Sequence, residues 1–255
     1  MYLTDFKENI YNQSLSELST DKMLISCLNA HSFNILQKDR LYQDALQRSH
    51  IILPDGIAIV FALRFLAGIK LKKISGHELF YYEMKRLNQI NGKCFFLGST
   101  KLTNSHIKLR VKMEYPNIIV DSFSPPFKID FNEEDNRIMI SKINAFQPDV
   151  LFIGMTAPKQ EKWGAAHFDD LNVKHICCIG AVFDFYAETC KRAPRWIIKM
   201  GFEWLHRLIS EPKRLWKRYI LGNPKFIALI LMEKIKLIEL KLKQKKLYRF
   251  QIKRK

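Results

Sequence analysis

Apolar runs of strand length alternate along this chain with amphipathic stretches of helix length. That alternation predicts an α/β fold built on a mainly parallel sheet. Strands are predicted at Met23–Leu28, Ile51–Leu53, Cys94–Leu97, Ile118–Val120, Val150–Gly154 and His175–Ile179. Helical segments lie between them, among others at Ile57–Leu66, His77–Gln89, Asn104–Glu114 and Glu133–Phe146. Ligands of such sheets bind beyond the carboxyl ends of the strands. Here those ends carry Asn29, Asp55, Gly98-Ser99-Thr100, Gly154-Met155-Thr156 and Gly180.

The pattern changes after about Arg195. No further strand is evident, and basic and aromatic residues crowd into consecutive helices. Pro212 suits a first helical turn, and Asn223-Pro224 predicts a break before a final helix. The chain therefore divides into an α/β core over 1–195 and a basic, amphipathic α-helical appendage over 196–255.

Composition sharpens this picture in two ways. The 255 residues carry 42 Lys and Arg against 25 Asp and Glu, a net charge of +17. Such a surplus favours an anionic partner: nucleic acid, an acidic membrane surface or a phosphorylated substrate. Five cysteines, Cys27, Cys94, Cys177, Cys178 and Cys190, are an odd number without zinc-ligand spacing. Reduced, buried thiols of a cytosolic protein explain them better than disulfides. Met1 to Asp5 has no signal-peptide character, and the apolar run Phe226–Met232 is too short to span a bilayer. The expectation is a cytoplasmic protein whose membrane contact is peripheral.

Four segments carry candidate chemistry. In Leu53-Pro54-Asp55-Gly56 a carboxylate at a strand end can take a proton from an attacking hydroxyl, although Pro-Asp-Gly is also plain turn chemistry. In Gly154-Met155-Thr156-Ala157-Pro158-Lys159-Gln160-Glu161 a helix start can face an anion, with Thr156 as its cap and Gln160 offering a donor and an acceptor. The alternative there is an ordinary connection with a solvated Lys-Gln-Glu-Lys face. Leu97-Gly98-Ser99-Thr100 can cradle a phosphate, yet it is no Walker loop. Finally, Arg207, Arg214 and Arg218 recur at spacings of seven and four, so a continuous helix would gather them on one face for a phosphate. A solvated basic helix paired with Glu203 and Glu211 is the plainer reading. The tail from Phe226 to Tyr248 mixes apolar residues with lysines, as interfacial helices on anionic lipid do. No Asp-x-Asp occurs, so a carboxylate metal site lacks its usual raw material.

Together the segments resemble the WecG/TagA/CpsF family of glycosyltransferases. The resemblance runs from about Ile25 to Phe226. It rests on Leu28-Asn29-Ala30-His31-Ser32, Leu53-Pro54-Asp55-Gly56-Ile57, Ile74-Ser75-Gly76-His77-Glu78-Leu79-Phe80, Phe96-Leu97-Gly98-Ser99 and Ala157-Pro158-Lys159-Gln160-Glu161. Ile179-Gly180-Ala181-Val182-Phe183-Asp184-Phe185, Arg192-Ala193-Pro194 and Glu203-Trp204-Leu205-His206-Arg207 complete it. It implies a Rossmann-like core and an inverting, metal-independent transferase needing no cofactor. The implied partners are a UDP-sugar donor, typically UDP-N-acetylmannosamine or its uronic acid, and an undecaprenyl-diphosphate-linked amino sugar as acceptor. Surface polysaccharide or teichoic-acid linkage units would be the product. By the same resemblance Asp55 is the catalytic base, Asn29 and Gln160 hold substrate, and Arg207, Arg214 and Arg218 close over the diphosphate. The appendage would dock on the inner face of the cytoplasmic membrane.

Three positions depart from the family pattern. Cys27 stands where threonine is usual and Lys73 where arginine is common, both on the substrate side of the motifs. Glu188 replaces a frequent glycine. A thiol donates hydrogen bonds poorly, and lysine lacks the planar fork of arginine.

Two rival readings account for parts of the sequence. A nucleic-acid-binding protein would account for +17, but no known reader motif appears, so no nucleic-acid partner is expected. A nucleotide-dependent oxidoreductase lacks its Gly-x-Gly-x-x-Gly fingerprint. Oligomeric state stays open, with a homo-oligomer among the outcomes for a sheet-core enzyme with an appendage.

Overall fold

The structure, a computed structural model, describes residues 1–252, with the side chains of all of them except Arg195, Lys199 and 245–252. The far end of the tail expectation, up to Tyr248, therefore lies outside the described side chains.

Six parallel strands form one sheet: β1 (Met23–Leu28), β2 (Ile51–Pro54), β3 (Lys93–Gly98), β4 (Ile119–Phe123), β5 (Val150–Gly154) and β6 (His175–Cys178). Their spatial order is β2-β1-β6-β5-β3-β4. Alternate strand residues divide between the two faces, because successive side chains of a strand point opposite ways. Ile25, Cys27, Cys94, Phe96, Val150, Phe152 and Cys177 form one core with helix residues that include Leu79, Phe80, Ile107 and Phe183. Leu24, Phe95, Leu97, Leu151, Ile153, Ile176 and Cys178 form the other with Ile143, Trp163 and Ala165. All five cysteines are free and the four in strands are buried.

The helices of the first half are α1 (Ala30–Leu36), α2 (Arg40–Gln47), α3 (Ile57–Ala67), α4 (Gly76–Gln89), α5 (Lys101–Glu114) and α6 (Glu133–Phe146). Those of the second half are α7 (Lys159–Ala166), α8 (Val182–Tyr186), α9 (Arg195–Lys199), α10 (Glu203–Ser210), α11 (Pro212–Trp216) and α12 (Gly222–Ile252). Caps explain several starts. Asn29 Oδ1 accepts from the backbone of His31 and Ser32, and Ser75 and Asn132 close capping boxes with Glu78 and Asp135.

The chain leaves β3 toward β4 and leaves β5 toward β6, so the strand order reverses between β3 and β5. At that point Gly98 lies opposite Gly154. The approach is so close that a Cβ on Gly98 would stand 2.6 Å from the Gly154 carbonyl oxygen, which only glycine avoids.

The expected break at Asn223-Pro224 is absent. A π-helical turn over Lys217–Leu221 joins α11 to α12, and Gly222 keeps right-handed helical angles. Pro224 falls in the first turn of α12, where its missing N–H costs little, and the wider π turn accommodates the change. α12 packs on α1 and α3, burying Phe226, Ile230 and Glu233. Apolar Ile227, Leu231, Met232, Ile235 and Ile238 stay exposed on it. Among the described residues no helix is long and apolar enough to cross a membrane.

Candidate active site

β2 delivers Asp55 to the carboxyl edge of the sheet. Its backbone N–H donates to the Leu28 and Leu53 carbonyls at 2.9 Å, and Gly56 follows with φ of 103°, so the chain turns sharply into α3. The carboxyl is only partly exposed but densely surrounded. Burial raises its pKa first and Glu203 raises it further, while Lys73, Arg218 and a hydrogen bond from Asn29 pull the other way. The net direction is upward, toward the range that suits a general base near neutral pH. Those perturbing groups come from β1's end, the segment before α4, α10 and the π turn. They converge on one carboxylate.

Asn29 thus works twice, capping α1 through Oδ1 and reaching Asp55 with its amide. Lys73 sits beside the segment where Ile74 N–H donates to the Pro54 carbonyl, 3.2 Å away. Cys27 faces the first turn of α4 and is closed to solvent. Burial pushes its thiol pKa well up, and Asp55 and then Glu161 add to that.

The arginines come together from two helices and a turn. Arg207 belongs to α10, which ends at Ser210, whereas Arg214 and Arg218 follow the kink at Glu211. Burial lowers the Arg218 pKa, and the nearby positive charges of Arg207 and Arg214 act in the same direction. The Nε atoms of Arg207 and Arg218 are buried without a hydrogen-bond partner, and Arg207 lies over the Phe185 ring at 5.3 Å. Arg214 is more exposed and paired with Glu211 at 2.5 Å.

The two glycine-flanked helix starts are built differently. Thr156 does not cap α7 with its side chain. It is exposed, with φ of 67°, and only its carbonyl accepts from Lys159 and Gln160 N–H. The turn bends before the hydroxyl can reach a helix N–H, leaving Pro158 at the cap position. Nor is Lys-Gln-Glu-Lys a solvated face: Gln160 and Glu161 are both buried. At the other start Thr100 caps α5, accepting from Thr103 N–H at 3.1 Å, and the Gly98 carbonyl accepts from Asn104. Gly98 lies three strands away from β1, roughly 14 Å at ordinary strand spacing, so it belongs to the far end of the cleft.

Three nearby groups escaped sequence reasoning. Glu203 pairs with Arg192 at 3.0 Å and acts on Asp55. His77 is held neutral, its pKa lowered to about 4 by burial and then by Arg192. Glu161 is fully buried with its pKa raised to about 7, chiefly by burial. Glu203 and His77 lie within motifs that carry the family resemblance, which was the available signal. His31 is likewise neutral, lowered to about 4 by burial and Arg218, and so lies at the same cleft. Glu188 takes φ of 57°, the left-handed region where glycine costs nothing, and its carboxylate reaches Arg110 at 2.9 Å.

Residues 4–239 match the Glycosyl transferase WecG/TagA/CpsF family. The chain belongs to this family. An N-acetylglucosaminyldiphosphoundecaprenol N-acetyl-beta-D-mannosaminyltransferase from Bacillus subtilis (strain 168) is 32% identical over 211 residues, 82% of this chain and 79% of the relative. A protein of the same name from Staphylococcus aureus (strain MRSA252) is 30% identical over 229 residues, 89% of this chain and 85% of the relative. Membership makes this glycosyltransferase chemistry.

Proposed function

We propose that this family member transfers an N-acetylmannosamine-type sugar, or its uronic acid, from a UDP-sugar to an undecaprenyl-diphosphate-linked N-acetylglucosamine. The names of the relatives supply the acceptor and the transferred sugar. The observation that carries the mechanism is the setting of Asp55: a carboxylate with a raised pKa, at a strand end, inside a ring of Asn29, Lys73, Glu203 and Arg218.

In this reading Asp55 takes the proton from the acceptor hydroxyl. The hydroxyl oxygen attacks the anomeric carbon, the bond to the UDP oxygen breaks, and the single displacement inverts that centre. Arg207 and Arg218, with Nε atoms still unpaired, meet the diphosphate charge that develops, a role that needs no metal. Asn29, Lys73, Gln160 and the Gly98 end of the cleft hold the two substrates in line, and that positioning supplies much of the acceleration. Cys27 and Thr156 stand at its margins. The exposed apolar and lysine residues of α12 support docking on an anionic membrane at its inner face.

The test is UDP release in EDTA from a panel of UDP-N-acetylhexosamines and their uronic acids, with a short-chain prenyl-diphosphate N-acetylglucosamine as acceptor. Acceptor-dependent release from a mannosamine donor is expected. Release that occurs only with added divalent cation, or only from another donor, would overturn the corresponding part.

A further inference from the structure

The start of α7 holds a pair of buried polar side chains whose hydrogen bonding is incomplete. Gln160 Nε2 donates to Glu161 Oε1 at 2.8 Å, while Gln160 Oε1 and Glu161 Oε2 have no partner. Exposure is 4% at Gln160 and 0% at Glu161, so water does not reach them from bulk solvent. Above about pH 7, where Glu161 is ionised, its carboxylate only accepts hydrogen bonds, so the amide nitrogen faces it and the amide oxygen is left for another partner. Glu161 therefore settles an amide orientation that would otherwise be free to invert.

The oxygen so presented lies at the turn after β6. A Cβ on Gly180 would stand 3.5 Å from Gln160 Oε1 and 3.6 Å from Nε2, so the whole amide end lies against this glycine, and Oε1 is the atom there without a partner. This turn is at the carboxyl edge of the sheet, between the ends of β1 and β5. A Cβ on Gly76 would stand 3.2 Å from Cys27 Sγ and 3.4 Å from the Ile179 Cα, so this turn adjoins Cys27, whose thiol also feels the Asp55 and Glu161 carboxylates. A buried acceptor without a partner carries an uncompensated desolvation cost, and a ligand that brings a donor removes it.

We propose that Glu161 is a positioning residue: by accepting from Gln160 Nε2 it turns Gln160 Oε1 toward the Gly180 turn, where it accepts a hydrogen bond from an N–H or O–H of the nucleotide-sugar donor. The inference rests on the proposed transfer from a UDP-sugar. Glu161 itself touches no substrate. A glutamine in its place offers both an oxygen and an NH2, so the Gln160 amide is free to invert and present the wrong atom half of the time.

The experiment is calorimetric titration at pH 8, where Glu161 is ionised, of UDP-N-acetylmannosamine into the full-length protein and its Glu161→Gln, Gln160→Ala and doubly substituted variants, with donor KM and kcat from UDP release. Melting curves verify that each variant folds. Gln160→Ala is expected to weaken donor binding about tenfold, and Glu161→Gln to weaken it several-fold. Donor KM should rise more than kcat falls, and the double variant should bind no worse than Gln160→Ala alone. Wild-type affinity in folded Glu161→Gln, or losses that multiply in the double variant, would overturn the positioning role while leaving the transferase reading intact. Wild-type affinity in Gln160→Ala would remove Gln160 from the donor site and this inference with it. Failure of the wild-type protein to bind UDP-N-acetylmannosamine would overturn that sugar nucleotide as the donor.

Discussion

Glu233, on the last helix, accepts two hydrogen bonds from Thr4 near the other end of the chain, one from its backbone N–H at 2.9 Å and one from its hydroxyl at 2.6 Å. Leu3 N–H adds a third at 2.8 Å. With Asn34 donating to the Gly222 carbonyl at 2.7 Å, these contacts tie α12 to the core at both ends of its packed stretch.

Glu233→Ala should therefore leave buried donors unsatisfied. Hydrogen bonds to charged groups contribute about 1.5–3 kcal/mol each, and relaxation recovers part of that, so a loss of roughly 2–4 kcal/mol is expected. Urea denaturation measures it. Limited proteolysis should also show cleavage within α12 well before the sheet core is cut. A variant as stable and as resistant as wild type would mean that the apolar contacts of Phe226 and Ile230 alone hold the helix.

Glu161 should make stability depend on pH. Its folded pKa of about 7 lies above the value of 4.5 for a solvated glutamate, so the folded state holds a proton that the unfolded state releases. Its contribution is fully present below about pH 4.5 and is lost as pH rises through about 7. The difference between those values corresponds to about 3 kcal/mol. Tyr42, Cys178 and Cys27 lie within reach of the same carboxylate and have their own pKa values raised, so they stay neutral across this range. Glu161→Gln should flatten the decline in unfolding free energy between pH 5 and pH 8. Parallel curves for the two proteins would contradict this.

The arginines should not be equivalent. Arg218→Ala is expected to weaken UDP binding by tenfold or more, since its Nε is buried and unpaired. Arg207→Ala should resemble it. Arg214→Ala should cost less than about threefold, because Arg214 is exposed and engaged with Glu211. Calorimetry at two salt concentrations would separate these cases, and an equal loss at all three positions would contradict the ranking.

Much of this architecture is legible in the amino-acid sequence. β1 and β5 have the predicted bounds because they are uninterrupted apolar runs between polar punctuation. The expected β4 starts one residue early and ends three residues short, as Asp121 and Ser122 interrupt the apolar signal on an edge strand that water reaches. Strand order has no local signature: nothing in the β6 residues says that they insert between β1 and β5. The strand-end carboxylate Asp55 and its neighbour Asn29 were readable from punctuation and motif. Glu161 was not, because Lys-Gln-Glu-Lys looks solvated unless the helix is known to turn its middle pair inward. The Asn223-Pro224 break was misread because proline is tolerated in a first turn, and a π turn leaves no mark in composition.

The central claim, that Asp55 is the base in a sugar transfer, is tested most directly by acceptor-dependent UDP release from UDP-N-acetylmannosamine in Asp55→Asn. The amide keeps the shape of the carboxylate but cannot accept the proton. Turnover should fall by a factor of about 10² to 10⁴, with UDP-sugar affinity within a few-fold of wild type and an unchanged melting curve. Turnover close to wild type in the folded variant would contradict the account.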